Sequence, residues 1–232
     1  MSEFQYKLLS IIMGGLLLVS MLVVGREAAR SVMTERVENN SKCVVIDAGH
    51  GGVDPGKIGI NDALEKDVNL QIAMLVKGYL EQSGVEVIMT RTEDAGLYDA
   101  DASNKKVQDM KKRIEIIEKA APRLTVSIHQ NSYPEESIHG AQVFYYTGSQ
   151  SGEELATILQ EQLIEKVDPA NTRQVKANDS YYLLKKTKVP IVIVECGFLS
   201  NYAEAEKLCD ENYQKRVAWA IHLGILQYLN SK

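Results

Sequence analysis

Two rhythms alternate along this chain after residue 40. Short, mostly apolar runs at Cys43–Ile46, Val85–Met89, Leu124–Ile128, Ala141–Tyr146 and Ile191–Val194 predict β-strands. Between them, apolar residues recur every three or four positions. Leu64, Val68, Ile72, Leu75 and Tyr79 predict a helix over about 64–82 that ends before Ser83-Gly84. Met110, Ile114 and Ile117 predict a second helix, closed near Pro122. Leu155, Ile158, Leu159 and Leu163 predict a third, stopping near Asp168-Pro169, and Val217, Ile221, Ile225 and Leu229 predict a C-terminal one. Residues 92–104 are acidic and loop-like. Alternating strands and helices, with strands apolar on both faces, point to a single α/β domain with a largely parallel, buried sheet. No repeat or low-complexity segment interrupts it.

The N-terminus follows a different pattern. Leu8 to Val24 is 17 residues without a charge, bounded by Lys7 and Arg26. That length suits a signal-peptide core or a short membrane span. A buried globular helix usually keeps one polar face, and this run has none. Residues 1–25 are therefore expected to be a signal peptide or membrane anchor, 26–40 a polar linker, and 41–232 the folded domain, exported to the extracytoplasmic side.

Charge narrows the partners. Residues 41–232 carry 22 Lys and Arg against 27 Asp and Glu, a net of −5. That balance argues against a nucleic-acid partner. It also supplies no global attraction to an anionic polymer, so recognition of one has to be local and steric. Three cysteines, Cys43, Cys196 and Cys209, form no CxxC pair and no disulfide framework; each reads as a small buried hydrophobe.

Three residues with acid–base or metal-binding chemistry share one address. His50 lies just past the first strand, His129 follows Ile128, and Glu195 follows Val194. If those strands are parallel, all three gather at their carboxyl ends, where open α/β sheets bind ligands. Glu195 ends an apolar run, so its charge needs a partner or its pKa must rise. Two histidines and a carboxylate are a common catalytic zinc set with one position left open. Both Glu65 and Asp67, at the start of the 64–82 helix, are placed to be that carboxylate, although the helix dipole also favours acids there. The glycines of Gly49-His50-Gly51-Gly52 resemble a phosphate cradle only superficially, since no Gly-Lys-Ser/Thr follows. They are expected to let the backbone turn sharply at His50. His139, in a loop, and His222, in the C-terminal helix, read as surface and packing residues. No G-x-S-x-G elbow is present, which counts against a serine hydrolase.

Four segments carry a resemblance. Val45-Ile46-Asp47-Ala48-Gly49-His50-Gly51-Gly52, Glu65-Lys66-Asp67-Val68-Asn69-Leu70, Ser127-Ile128-His129-Gln130-Asn131-Ser132 and Val194-Glu195-Cys196-Gly197-Phe198-Leu199-Ser200-Asn201 occur in this order. The chain from about 43 to 229 thereby resembles the zinc-dependent N-acetylmuramoyl-L-alanine amidases of the amidase 3 family. The resemblance implies that His50, Glu65 and His129 bind Zn2+ and that Glu195 is the catalytic carboxylate. It implies a mostly parallel six-stranded sheet flanked by helices, and peptidoglycan as the substrate. Gln130 stands where many members have a small residue and is expected to bear on the substrate cleft; Cys196 is a second departure. Some division amidases of the family carry a long blocking helix between the second histidine and the catalytic Glu. Here only 65 residues lie between them, so no blocking helix is expected, and control falls to expression, location or a regulatory protein. The likeness extends to the germination-specific amidases of spore-forming bacteria, which implies a role in the spore cortex. A zinc peptidase acting on wall peptides and a non-catalytic, membrane-tethered wall-binding module are the competing readings.

Overall fold

The computed structural model describes residues 3–40 and 43–231. They fall into two units, residues 1–41 and 42–232. The first is a single helix, α1 (Glu3–Asn40). Its stretch Glu3–Glu27 is 25 residues long with mean hydropathy 2.5, long and apolar enough to cross a membrane. Apolar side chains there, Leu16 and Leu22 among them, are exposed, unlike those of a core helix. The helix continues through residues 26–40, whose composition reads as a linker.

The second unit is an α/β domain around one six-stranded sheet. Its strands are β1 (Cys43–Ala48), β2 (Glu86–Met89), β3 (Leu124–Asn131), β4 (Gln142–Tyr146), β5 (Lys176–Asn178) and β6 (Ile191–Phe198), in the order β2-β1-β3-β6-β4-β5. β2, β1, β3 and β6 run parallel; β4 pairs antiparallel to β6 and carries β5 parallel to itself. The expected mostly parallel sheet is thus present, with a reversed pair at one edge.

The apolar runs are continuous because both faces are covered. Val44, Ile46, Ala48, Val126, Ile128, Val192 and Val194 face one core cluster, built with α2 (Glu65–Gln82), α4 (Gln150–Lys166) and α7 (Glu211–Asn230). Val45, Ile191 and Ile193 alternate to the other face, under α3 (Lys105–Ala120) and α5 (Tyr182–Lys186). α6 (Tyr202–Cys209) joins β6 to α7. Side chains start several of these helices: Asn104, Ser149, Asn201 and Asp210 each accept a bond from a first-turn backbone N–H. β5, α5 and α6 were not legible as elements. β5 has three residues and α5 five, too few for a period to show.

Candidate metal centre and active site

The parallel strands β1, β3 and β6 lie side by side, and His129 pairs directly with Glu195 across β3 and β6. Both strands run past these residues, so His129 and Glu195 sit inside strands rather than just beyond their ends. His50 leaves β1 through a left-handed turn, at φ 61°. Gly49 allows the approach: its N–H donates to the Ile128 carbonyl at 3.1 Å, and a Cβ there would lie 2.3 Å from the His129 ring.

The third donor arrives from α2. Glu65 is buried in its first turn, whereas Asp67 is exposed, so the fold selects Glu65 from the two acids that spacing left open. Glu65 Oε1 lies 3.2 Å from His50 Nε2 and 3.0 Å from His129 Nδ1. Donor atoms of all three residues fall within 4.8 Å of one another. Zinc ligands at about 2.0–2.2 Å in a tetrahedron are spaced by roughly 3.4 Å, so two imidazoles and a carboxylate at these separations fit that ion. Electrostatics agree. Burial alone would raise the Glu65 carboxyl, yet hydrogen bonds from His129 and His50 hold it far below the usual carboxylate range. Burial works against a proton on His50, but Glu65 and Asp54 outweigh it and raise the imidazole. A carboxylate that attracts cationic partners this strongly suits a divalent cation.

Glu195 is the complementary case. It is buried at the same cleft, and its Oε2 has no hydrogen-bond partner among the described residues. Burial, opposed by His129 and reinforced by Glu65, pushes its carboxyl up to about 7. A group poised near neutrality with a free oxygen is suited to taking and returning a proton. Tyr181 flanks it; burial and the charge of Glu195 push the phenol up to about 12, so it remains a donor.

A set of side chains that, Gln130 apart, the sequence did not single out holds these groups. Asp54 Oδ2 sits 3.0 Å from His50 Nδ1, orienting the ring from behind. Asn69 Nδ2 donates to both Gly49 O and Glu65 Oε1, at 3.1 and 3.3 Å. Gln130 Nε2 donates to Asn69 Oδ1 at 3.1 Å, and its backbone N–H reaches Glu65 Oε1 at 3.2 Å. The Gln130 side chain is buried against Asn69, and the residue also lines the catalytic cleft, so it bears on both the metal site and the cleft. Two buried arginines grip the His50 turn through its carbonyls. Arg91 donates to Ala48 O and Gly49 O, and Arg113 to Ala48 O and His50 O, all at 2.7–3.0 Å. Arg113 also pairs with Asp47 and Asp109, each at 2.6 Å.

The Asp47–Arg113 pair has a measurable signature. Burial would raise the Asp47 carboxyl, but Arg113, Ser127 and Thr90 hold it down at about 2. A lowered carboxyl stabilises the fold above the unfolded pKa near 4. That contribution is lost as pH falls from about 4 to about 2. Asp47→Asn is expected to cost about 1.5–3 kcal/mol at neutral pH, the usual worth of charge-assisted bonds, and to flatten the acid limb of a stability–pH curve measured by urea unfolding. An unchanged limb would show that the pair is not coupled to folding.

The cleft holds about 430 Å³ and is also lined by Lys57, Lys106, Met110 and Tyr182. Between His129 and Glu195 lie β4, α4, β5 and α5, and α4 is packed on the opposite sheet face with β4 and α7. No segment of the blocking type covers the centre among the described residues. The remaining histidines stay outside. His139 is exposed and contributes its carbonyl to Arg173. His222 is buried in α7, 2.8 Å from Ser83 Oγ. Cys43 and Cys196 are buried as expected, but Cys209 is exposed at the C-terminal end of α6 beside Asn61, because its position falls off the helix's core-facing side.

Comparison with known proteins places this arrangement. Residues 44–227 match the Amidase_3 model, N-acetylmuramoyl-L-alanine amidase. The chain is 37% identical over 196 residues to the germination-specific N-acetylmuramoyl-L-alanine amidase of Bacillus subtilis, covering 83% of this chain and 82% of that one. It is 29% identical to the amidase LytC of the same organism, covering 94% of this chain but 42% of that longer protein. Among solved structures it is similar to the CwlD amidase of Clostridioides difficile, determined in complex with the GerS lipoprotein. That match has 42% identity and a TM-score of 0.80, over 82% of this chain and all of the other. With its family model spanning the domain and its His–Glu–His cluster and Glu195 on one edge, the chain belongs to the N-acetylmuramoyl-L-alanine amidases of the Amidase_3 family.

Proposed function

We propose that this peptidoglycan amidase is zinc-dependent and exported, and that it works at the cortex of the developing spore. The observation that carries the chemistry is the pairing, in one cleft, of a His50–Glu65–His129 donor cluster with a buried Glu195 whose Oε2 is unpartnered. Zinc held there supplies Lewis-acid polarisation of the scissile carbonyl and lowers the pKa of water. Glu195 accepts the proton that the attacking water gives up and returns it to the departing L-Ala nitrogen. His50 and His129 bind through neutral ring nitrogens, with Asp54 fixing which nitrogen of His50 is free to do so. The products are a free muramic lactyl carboxylate and a peptide with a new L-Ala amino terminus.

The N-terminal helix and the relatives support the reading of place and partner. A span long and apolar enough to cross a membrane keeps the domain near one surface if it is retained, raising its effective concentration at the wall. Similarity to a germination-specific amidase, and to one whose structure is in complex with a lipoprotein, supports a spore role and a lipoprotein partner.

Two measurements on the same polymer test the reading. Mass analysis of defined peptidoglycan treated with the zinc-loaded chain is expected to find lactyl-terminated muramic acid and intact stem peptides beginning at L-Ala. Cuts within the peptide would favour a zinc peptidase instead. Cortex from spores lacking the gene is expected to lack muramic δ-lactam; cortex of normal composition would leave an amidase without a spore role.

A further inference from the structure

A second cleft of about 390 Å³ adjoins the catalytic one, and Asn131 and Tyr181 line both. Its floor belongs to the sheet face that carries Glu195. Directly paired residues share a face, and Gln142 pairs with Glu195, Phe144 with Ile193, and Asn131 with Phe198. The register shift between His129 and Asn131 accommodates one extra residue in β6, which returns Phe198 to the face of Glu195.

Two cations stand over this floor. The Arg173 guanidinium lies 4.6 Å from the Phe198 ring centroid, and Lys176 Nζ lies 5.8 Å from that of Phe144. Arg173 is fixed by donating from Nε to His139 O at 2.6 Å and from Nη1 to Gln142 Oε1 at 3.3 Å. Because Gln142 is the direct partner of Glu195, and such pairs lie about 4.5–5.5 Å apart at Cα, Arg173 stands one side chain away from the catalytic position. Among the described residues neither Arg173 nor Lys176 forms an ion pair. Glu135 is the one carboxylate on the cleft wall, and it accepts from Ser137. The cleft is therefore locally positive in a domain with net charge −5 over residues 41–232.

We propose that this second cleft is the subsite for an acidic peptide: it takes a free carboxylate of the stem peptide, with Arg173 as the principal cation and Lys176 as the second. The inference rests on the amidase reading. In that substrate the lactyl carboxyl is consumed in the scissile amide, so the glycan side offers hydroxyl and acetamido groups. Free carboxylates lie on the peptide side, and they match a preorganised guanidinium. Seating one here lays the peptide toward β4 and β5 and turns the glycan toward α3. It also supplies the local recognition that overall charge does not.

Two muramoyl peptides that differ only in having this carboxylate free or amidated test the assignment with the zinc-loaded full chain. Wild type is expected to favour the free acid. Arg173→Gln is expected to lower kcat/KM on the acid roughly tenfold, the scale of one charge-assisted contact, chiefly through KM, with little change on the amide. Arg173→Lys should recover part of the loss. Lys176→Gln, at an exposed site, should give a smaller loss with the same selectivity, so the proposal stays testable if the Arg173 variants fold poorly. Equal losses on both substrates, or a wild type blind to the carboxylate, would overturn the subsite, as would an Arg173 effect that follows glycan length alone. No cleavage of either substrate by wild type removes the amidase reading itself, and the subsite with it.

Discussion

Glu195→Gln is expected to slow hydrolysis by at least about 100-fold, the lower range for general acid–base catalysis, while keeping the fold and the zinc content. Gln matches the shape of the carboxyl but cannot accept the proton of the attacking water. The side chain is buried and its Oε2 has no hydrogen-bond partner among the described residues, so the amide breaks no hydrogen bond at that oxygen. Stability should even move the other way. A carboxyl raised by burial to about 7 favours its protonated form in the folded protein. Ionisation then costs stability as pH rises above the unfolded value near 4.5, and that cost is complete above about 7. In zinc-free protein the Gln variant should therefore be at least as stable as wild type at pH 8, with little difference at pH 4. Near-normal turnover would remove Glu195 from the proton-transfer role. Lost turnover together with lost zinc or a lower melting temperature would instead make it a structural residue.

Glu65→Ala is expected to remove most of the zinc and most of the activity together. Glu65 Oε1 is the atom on which His50 and His129 converge, at 3.2 and 3.0 Å, whereas Asp67 is exposed and Asp54 meets His50 at its other ring nitrogen. The affinity loss should exceed the roughly 10–100-fold typical of residues that only orient ligands. Competition with a zinc chelator reads it directly, without reference to turnover. Glu65→Asp shortens the arm by one methylene and should keep part of the binding. Full zinc occupancy in the Ala variant would eliminate Glu65 as a ligand. Its removal also leaves two partly buried imidazoles without their shared acceptor, so a lower melting temperature is expected in the metal-free state.

Much of this site was open to a reader of the chain. Apolar runs of four or five residues marked β1, β3 and β6, and the chemistry-bearing residues fall at or beside their ends because a parallel sheet needs helical crossovers that return every strand in the same direction. That logic by itself brings His50, His129 and Glu195 to one edge. It left Glu65 and Asp67 undecided, since both occupy the first turn of α2. The angle at which α2 meets the sheet decided between them, burying Glu65 and exposing Asp67.

Tertiary structure alone revealed the buried charges behind the site. Arg113 was the faint exception: it falls within the apolar stripe of Met110, Ile114 and Ile117, where an arginine signals an internal partner. Its partner Asp47 lies 66 residues away in sequence, and pattern cannot identify pairs at that separation. The same holds for Gln130, whose side chain turned inward to Asn69, and for Arg173, whose loop meets β4 only when the sheet is assembled. Local periodicity reports which face of an element is buried, because burial repeats with the backbone. It carries no information about which buried polar group meets which, because each such contact is made once, between elements, and only the packed structure selects it.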